Sequence, residues 1–218
     1  MDSHSLLLFV VAGLLLNLTP GPDVVYIVTH ALRSGARAGA VAALGITAGC
    51  FVHILAAALG VSALIAASAT AFTVLKWLGA AYLLWVGARM LMSRAPVAMQ
   101  LEPGVGRADL KTIFVRGFGT NALNPKVALF FLAFVPQFIT PEVEHKTLAF
   151  LLLGLLFNFN GLWVNIGWAL AAAWLAGRLG AVRRTMHWLE RIAGAMFIGF
   201  GLKLALSDNP ILETRRAT

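Results

Sequence analysis

Asp23 is the only acidic residue well inside an apolar run of this chain, and Lys126 is the only basic residue so deep. Each follows a proline directly, Asp23 in "NLTPGPDVV" and Lys126 in "TNALNPK". An ionised group at the centre of a bilayer costs at least ~2.5–3.5 kcal/mol unless it is paired or hydrated. Two readings meet that cost. In one, Asp23 and Lys126 form a buried ion pair that holds two parts of the protein together. In the other, Asp23 meets a ligand ammonium or a coupling proton, while Lys126 or exposed helix ends meet a carboxylate. Unwound helices add N–H groups for anions and carbonyls for cations, and a site with both polarities suits a zwitterion.

The prolines bear on depth. Proline inside a helix removes a hydrogen-bond donor and clashes with the preceding turn, at roughly 3 kcal/mol or more. Pro20, Gly21 and Pro22 lie about eleven residues before Arg33, and Pro125 nine after Arg116. At a rise of about 1.5 Å per residue, both breaks fall near mid-membrane, about 13–18 Å from those charges. Non-helical backbone survives at that depth only when buried in protein or lining a watery cavity. Two breaks at matching depth point to a shared cavity.

Other polar groups gather around the breaks. Asn17, Thr19, Asn121 and Asn124 flank them. Asn158, Gly161, Asn165 and Trp168 fall on one helix face, which either lines the pore or acts as polar glue between helices. His53 is either a proton relay beside Asp23 or a hydrogen-bonded packing histidine. Gly45 and Gly49 make a GxxxG that permits close helix contact and allows a homodimer. Cys50, the single cysteine, excludes an intramolecular disulfide and reads as a small buried hydrophobe. No cluster has metal-ligand spacing, no GxxxxGK[ST] phosphate loop is present, and no nucleophile carries a local signature. The sequence therefore calls for no metal and no cofactor, and does not read as an enzyme.

These residues need a frame, and composition supplies it. The 218 residues are 60% hydrophobic and 12% charged, with a mean hydropathy of +0.84. A soluble domain carries about 25% charged residues. Apolar runs near the ~20 residues needed to cross a bilayer recur along the chain. The expectation is an all-α polytopic membrane protein with six transmembrane helices. They are read at Leu6–Thr29, Ala40–Ile65, Phe72–Leu91, Ile113–Phe138, Leu148–Leu175 and Ile192–Leu206, with the first and fourth broken. The formal charge of +8 sits mostly between these runs, so it reads as topology charge rather than a nucleic-acid surface. Arginines and lysines concentrate after the first, third and fifth runs, which places both termini outside the cytoplasm. The N-terminus lacks a basic n-region and reads as a retained first helix.

The halves echo each other. "NLTPGPD" answers "TNALNPK", and "WLGAAYLLWVGARML" answers "RIAGAMFIGFGLKLAL". Each half carries three spans, an odd number, so the second enters the membrane in the opposite sense. That predicts a single transmembrane transporter domain over residues 1–218. Its two inverted three-helix repeats span about 1–95 and 112–210, joined by a cytoplasmic loop.

"TPGPDVVYIVTHALRSGARAGAVAALGITAGCFVHILAAALG", Thr19 to Gly60, resembles the N-terminal signature of the lysine exporter (LysE/RhtB) family. "TNALNPKVALFFLAFVPQFI", Thr120 to Ile139, resembles its second block. The threonine/homoserine-exporting branch is the nearest in character. The resemblance implies an inner-membrane protein that exports amino acids or related small zwitterions, driven by the proton gradient. It assigns Pro20, Gly21, Pro22 and Asp23 to the first motif and Asn124, Pro125 and Lys126 to the second. Gly35, Gly39, Gly45 and Gly49 fall in its glycine pattern, as helix-packing positions. A passive small-solute channel or a metal-ion exporter of the same architecture is the alternative reading, with a membrane enzyme further behind.

Overall fold

The structure is a computed structural model that describes residues 3–61, 69–92, 109–139, 143–176 and 179–206. Those residues are helical with short connections and contain no strand, as expected of an all-α chain. The arginine-bearing loop between the halves lies mostly at 93–108, outside the described residues.

Helix α1, Ser3–Leu18, is mostly leucine and valine, with Phe9 and Gly13 among them and Asn17 near its end. It stops where Pro20 removes the next backbone donor and pushes Thr19 out of the helical region. Thr19 closes the end locally: its N–H and its hydroxyl both donate to the Leu15 carbonyl, at 3.1 and 2.7 Å. Gly21 is then extended (φ −146°, ψ −171°) and N-caps α2, Pro22–Ala56, with Pro22 at the first helical position. There proline costs nothing, because that N–H has no helical partner anyway.

Inside α2, Gly35 has φ +83° and ψ 178°, a conformation that glycine reaches freely and other residues rarely adopt. Eight residues of uninterrupted helix span about 12 Å. Yet a Cβ on Gly39 would lie 3.1 Å from the Cα of Ala31. The chain therefore doubles back at Gly35 into two arms, residues 22–34 and 36–56. Tyr26 of the first arm and Ala42 of the second both meet Gly117. The stretch Pro22–Gly60 has the length and hydropathy of a single crossing, but the turn makes it a hairpin. Gly35 has open space around it, so its role is the turn and not the helix packing expected of it.

Helix α3 is Ala69–Met92, α4 Leu110–Ala122 and α5 Pro125–Leu129. The chain runs on from α5 through a π turn, Phe130–Phe134, and a 3₁₀ turn, Val135–Phe138. The segments on either side of Leu123 and Asn124 are bent by 43°, so the fourth expected span is one broken unit. Helices α6, Lys146–Trp174, and α7, Leu179–Leu206, complete the described chain. The expected spans need three corrections. The first is broken as expected, but its second half is continuous with the hairpin. The second passes into a π turn at Ala57–Val61 before the described residues stop. The sixth starts at Leu179 rather than Ile192, because hydropathy marks the apolar part of a helix and not where its hydrogen bonds begin. By length and composition, Lys146–Trp174 can cross a membrane, as can the bent pair counted as one, while Pro22–Gly60 meets the same test but folds back at Gly35.

Glycines set the packing. A Cβ on Gly45 or Gly49 would collide with the carbonyl oxygen of Phe114 or Phe118. The GxxxG face of the second arm is thus filled by α4 of the same chain and is not available to a second copy. Gly39 likewise brings Ala31 and Ala169 together. Helices α3 and α7 meet reciprocally: Gly87 abuts the Gly194 carbonyl and Ile198, while Gly201 abuts the Ala80 carbonyl and Leu84. Phe9, Phe130, Phe131, Phe134, Phe138 and Phe157 form the main core, tying α1 and α6 to the turns after α5. Large apolar side chains also cover the outside, including Leu7, Leu123, Trp163 and Trp174, as a lipid-facing surface requires.

Candidate functional site

The two breaks meet in the middle of the bundle, and they are built alike. Each post-break helix starts with an N-cap residue, Gly21 or Asn124, whose carbonyl accepts the first helical bond at 3.0 Å. An exposed proline follows, Pro22 or Pro125, and then a buried charge, Asp23 or Lys126. Asp23 is 6% and Lys126 9% exposed.

Asp23 and Lys126 do not clasp one another, so the ion-pair reading does not describe them. Asp23 Oδ2 accepts from the Asn121 side-chain amide at 3.3 Å. Lys126 reaches across to α1 and donates from Nζ to the carbonyls of Leu16 and Thr19, at 3.3 and 3.2 Å. Asn124 accepts from the Lys126 backbone N–H at 3.0 Å and fixes the start of α5. The Lys126 charge still acts on the Asp23 carboxylate through space, and the Asn124 amide lies within its reach.

Gly21 is needed here for room. Its backbone is merely extended, but a Cβ there would lie 3.1 Å from Lys126 Nζ. Gly21→Ala is expected to dislodge the ammonium from its carbonyls. The loss is about 1.5–3 kcal/mol for hydrogen bonds to a charged group. Thermal unfolding of the purified protein should fall by about 3 °C or more. An unchanged melting temperature would show that Lys126 relaxes without cost.

A small cavity lies between the breaks. Asn17, Asp23, Asn121, Lys126, Asn158 and Asn165 give it polar walls, and Leu16, Val24, Ile46, Val127 and Phe157 apolar ones. The stripe on α6 faces it through Asn158, Gly161 and Asn165, whereas Trp168 packs beside the arms. Thr19, Pro20, Gly21, Pro22, Asn124 and Pro125 form the breaks but do not line the cavity. On its wall, three buried polar atoms have no hydrogen-bond partner: the amide nitrogen of Asn17 and the oxygens Asp23 Oδ1 and Asn121 Oδ1. The unfilled space offers water-sized positions over only about 20 Å³, room for one or two waters. A larger ligand requires the walls to separate.

His53 stands one step back. Its Nε2 lies 2.7 Å from the Asn121 backbone carbonyl, and its ring stacks on Phe131. Facing a carbonyl oxygen, Nε2 carries the proton and donates. Asn121 thus joins His53, through its carbonyl, to Asp23, through its amide.

Besides the apolar wall, two lining residues with a hydroxyl or thiol were not among the sequence candidates for the site. Thr47 and Cys50 sit one turn apart on the second arm. Thr47 donates to the Ala43 carbonyl at 2.9 Å, leaving its oxygen as an acceptor. Their spacing from Gly45 and Gly49 was visible, but not that the hairpin turns them toward Asp23.

An apolar helical bundle that buries charge and open amide groups at paired helix breaks defines a membrane transporter. This chain belongs to the LysE type translocator family, which matches residues 14–208. An uncharacterized membrane protein of Vibrio cholerae is 35% identical, over 94% of this chain and 98% of its own length. A homoserine/homoserine lactone efflux protein of Salmonella typhi is 31% identical, over 90% of this chain and 94% of its own. A leucine efflux protein of an Enterobacter species is 28% identical, over 90% and 93%. No solved structure matches the chain. The family is one of transporters, not enzymes, and its efflux members support a role in amino-acid export.

Proposed function

We propose that the protein is a secondary active exporter of amino acids or closely related small zwitterions, with threonine- and homoserine-like substrates favoured. The observation that carries this reading is the set of partnerless polar atoms around one cavity. Asp23 Oδ1 and Asn121 Oδ1 are acceptors for an ammonium, and the Asn17 amide is a donor for a carboxylate. Lys126 adds positive charge on the carboxylate side. Asn158 and Asn165 complete the polar wall. The relatives named for homoserine and leucine efflux support the same substrate class.

The driving force is the proton gradient, with Asp23 the group that exchanges its proton for the substrate ammonium and His53 connected to it through Asn121. The cycle is alternating access, since a space sized for one or two waters admits an amino acid only when the walls part. The moving units are two inverted three-helix repeats in one transporter domain, residues 1–218. Matched geometry supports that division. Pro22–Asp23 corresponds to Pro125–Lys126, the approach of Gly49 to Asn121 to that of Gly161 to Asn17, and the contact of Gly87 with Gly194 to that of Gly201 with Ala80. The protein lies in the inner membrane with both termini away from the cytoplasm. Exposed Arg33, Arg37, Lys111 and Arg116 crowd the end of the bundle that holds the hairpin tip and the start of α4, as a cytoplasmic end requires.

A panel of amino acids and toxic analogues tests the reading. A sensitive host expressing the protein should resist homoserine- or threonine-like compounds and hold at least threefold less of them, an effect of about 0.6 kcal/mol in the steady-state ratio. Resistance to none of the panel would overturn it.

A further inference from the structure

Asp23, Asn121, Asn17 and Lys126 account for the ammonium and carboxylate ends of an amino acid, and the rest of the cavity wall is left for its side chain. Leu16, Val24, Ile46, Val127 and Phe157 supply hydrocarbon there. The remaining polar wall comes from Asn158 and Asn165 on α6 and from Thr47 and Cys50 on the second arm. An asparagine amide holds both donors and an acceptor, and a thiol is weak at either, so neither type sorts ligands sharply. Thr47 is different. Its hydroxyl hydrogen is committed to the Ala43 carbonyl at 2.9 Å, and no described residue donates to its oxygen. Thr47 therefore offers the cavity an acceptor and nothing else. Its position is fixed as well. Gly45 and Gly49 press the second arm against the main chain of α4, while Ile46, Thr47 and Cys50 line the cavity from another side of the same helix.

An acceptor on an otherwise apolar wall sorts side chains by charge and by donors. A side-chain carboxylate would set oxygen against oxygen. A side-chain ammonium would place a second positive charge in a cavity that already holds Lys126, with Asp23 engaged by the first. Hydrocarbon is tolerated, since the Thr47 oxygen keeps its bond to Ala43 in any case. A hydroxyl fits the same space and gains one hydrogen bond. We propose that Thr47 is the specificity residue of this cavity, selecting amino acids with a side-chain hydroxyl over their hydrocarbon isosteres. The inference rests on the exporter reading above for where the ammonium and carboxylate lie.

The test compares homoserine with norvaline, which carries a methyl in place of the hydroxyl, by calorimetric titration of the purified protein. The wild type should bind homoserine about fivefold more tightly, as one neutral hydrogen bond implies. Thr47→Val keeps the shape without the oxygen and should bind the two within about twofold of each other, through weaker binding of homoserine. Thr47→Ser restores the acceptor and should keep a preference of about threefold or more. Thr47→Ala gives the same comparison as valine should the valine variant not fold. A homoserine preference that survives the loss of the oxygen overturns the proposal. So does a wild type that binds norvaline as tightly, or binds neither compound. Export from loaded vesicles is scored separately. Selective binding without export of either compound counts against the exporter reading and leaves the role of Thr47 standing, whereas export of both at equal rates with equal binding counts against Thr47 alone.

Discussion

Asp23→Asn should reduce export driven by a proton gradient to about 1% of the wild-type rate or less, with the protein still folded. Asparagine keeps the shape and can still accept from the Asn121 amide, so the contact at Asp23 Oδ2 survives. The negative charge that faces the cavity is lost, together with any exchange of a proton. Removing one partner of a buried charged interaction costs about 2–5 kcal/mol, and 2.7 kcal/mol is already a hundredfold. Inside-out vesicles with an imposed proton gradient and a radiolabelled amino acid give the measurement. Asp23→Glu keeps the charge and should recover part of the rate. Export by Asp23→Asn at the wild-type rate would remove Asp23 from the coupling step, whatever its place in the fold.

A large loss of stability is expected at Gly49, as at Gly45 beside it. A side chain there meets the Phe118 carbonyl, the Asn121 Cβ at 3.0 Å and the Ala122 backbone N at 3.1 Å. Two of those three are main-chain atoms, which cannot rotate aside. Overpacking costs about 1–3 kcal/mol even where side chains can adjust. Gly49→Ala should therefore lower the melting temperature by about 5 °C or more. Gly49→Leu should yield no monodisperse protein after detergent extraction. Gly119→Ala and Gly167→Ala are the internal comparison. Both are helical with open space around them, so alanine should hold or raise stability through its helix propensity. Equal losses at all of these positions would mean that the close approach of the second arm to α4 does not limit stability.

The breaks and their charges were legible in the sequence because proline, aspartate and lysine each conflict with lipid as a solvent, and a conflict is visible without a structure. Thr47 and Cys50 were not legible as cavity residues. They are small and uncharged, equally at home against lipid or a neighbouring helix, and only the fold-back at Gly35 turns them toward Asp23. Gly35 itself was misread for a related reason. In a run rich in glycine and alanine, a glycine used for its positive φ looks the same as one used for close packing. The GxxxG at Gly45 and Gly49 announced a close approach but could not say to what, and the partner is α4 rather than another copy. Asp23 and Lys126 stood out in the sequence as two opposed charges. That each is bonded elsewhere, one to an asparagine amide and the other to helix-end carbonyls, depends on side-chain reach that spacing does not encode.

Pro22 and Pro125 open their helices on the exposed side, while the charges that follow them turn inward. A helix that begins at mid-membrane has backbone N–H groups with nothing above them, and an N–H left bare to hydrocarbon costs several kcal/mol. Proline has no N–H to leave bare. The two prolines therefore act as electrical insulation. They silence the outward face of each gap so that the surplus donors and acceptors of the interrupted backbone are offered to one side only. In the carrier proposed above, helices part at mid-depth without leaking polarity into the lipid, and a proline at the first helical position serves that with a single residue at each break.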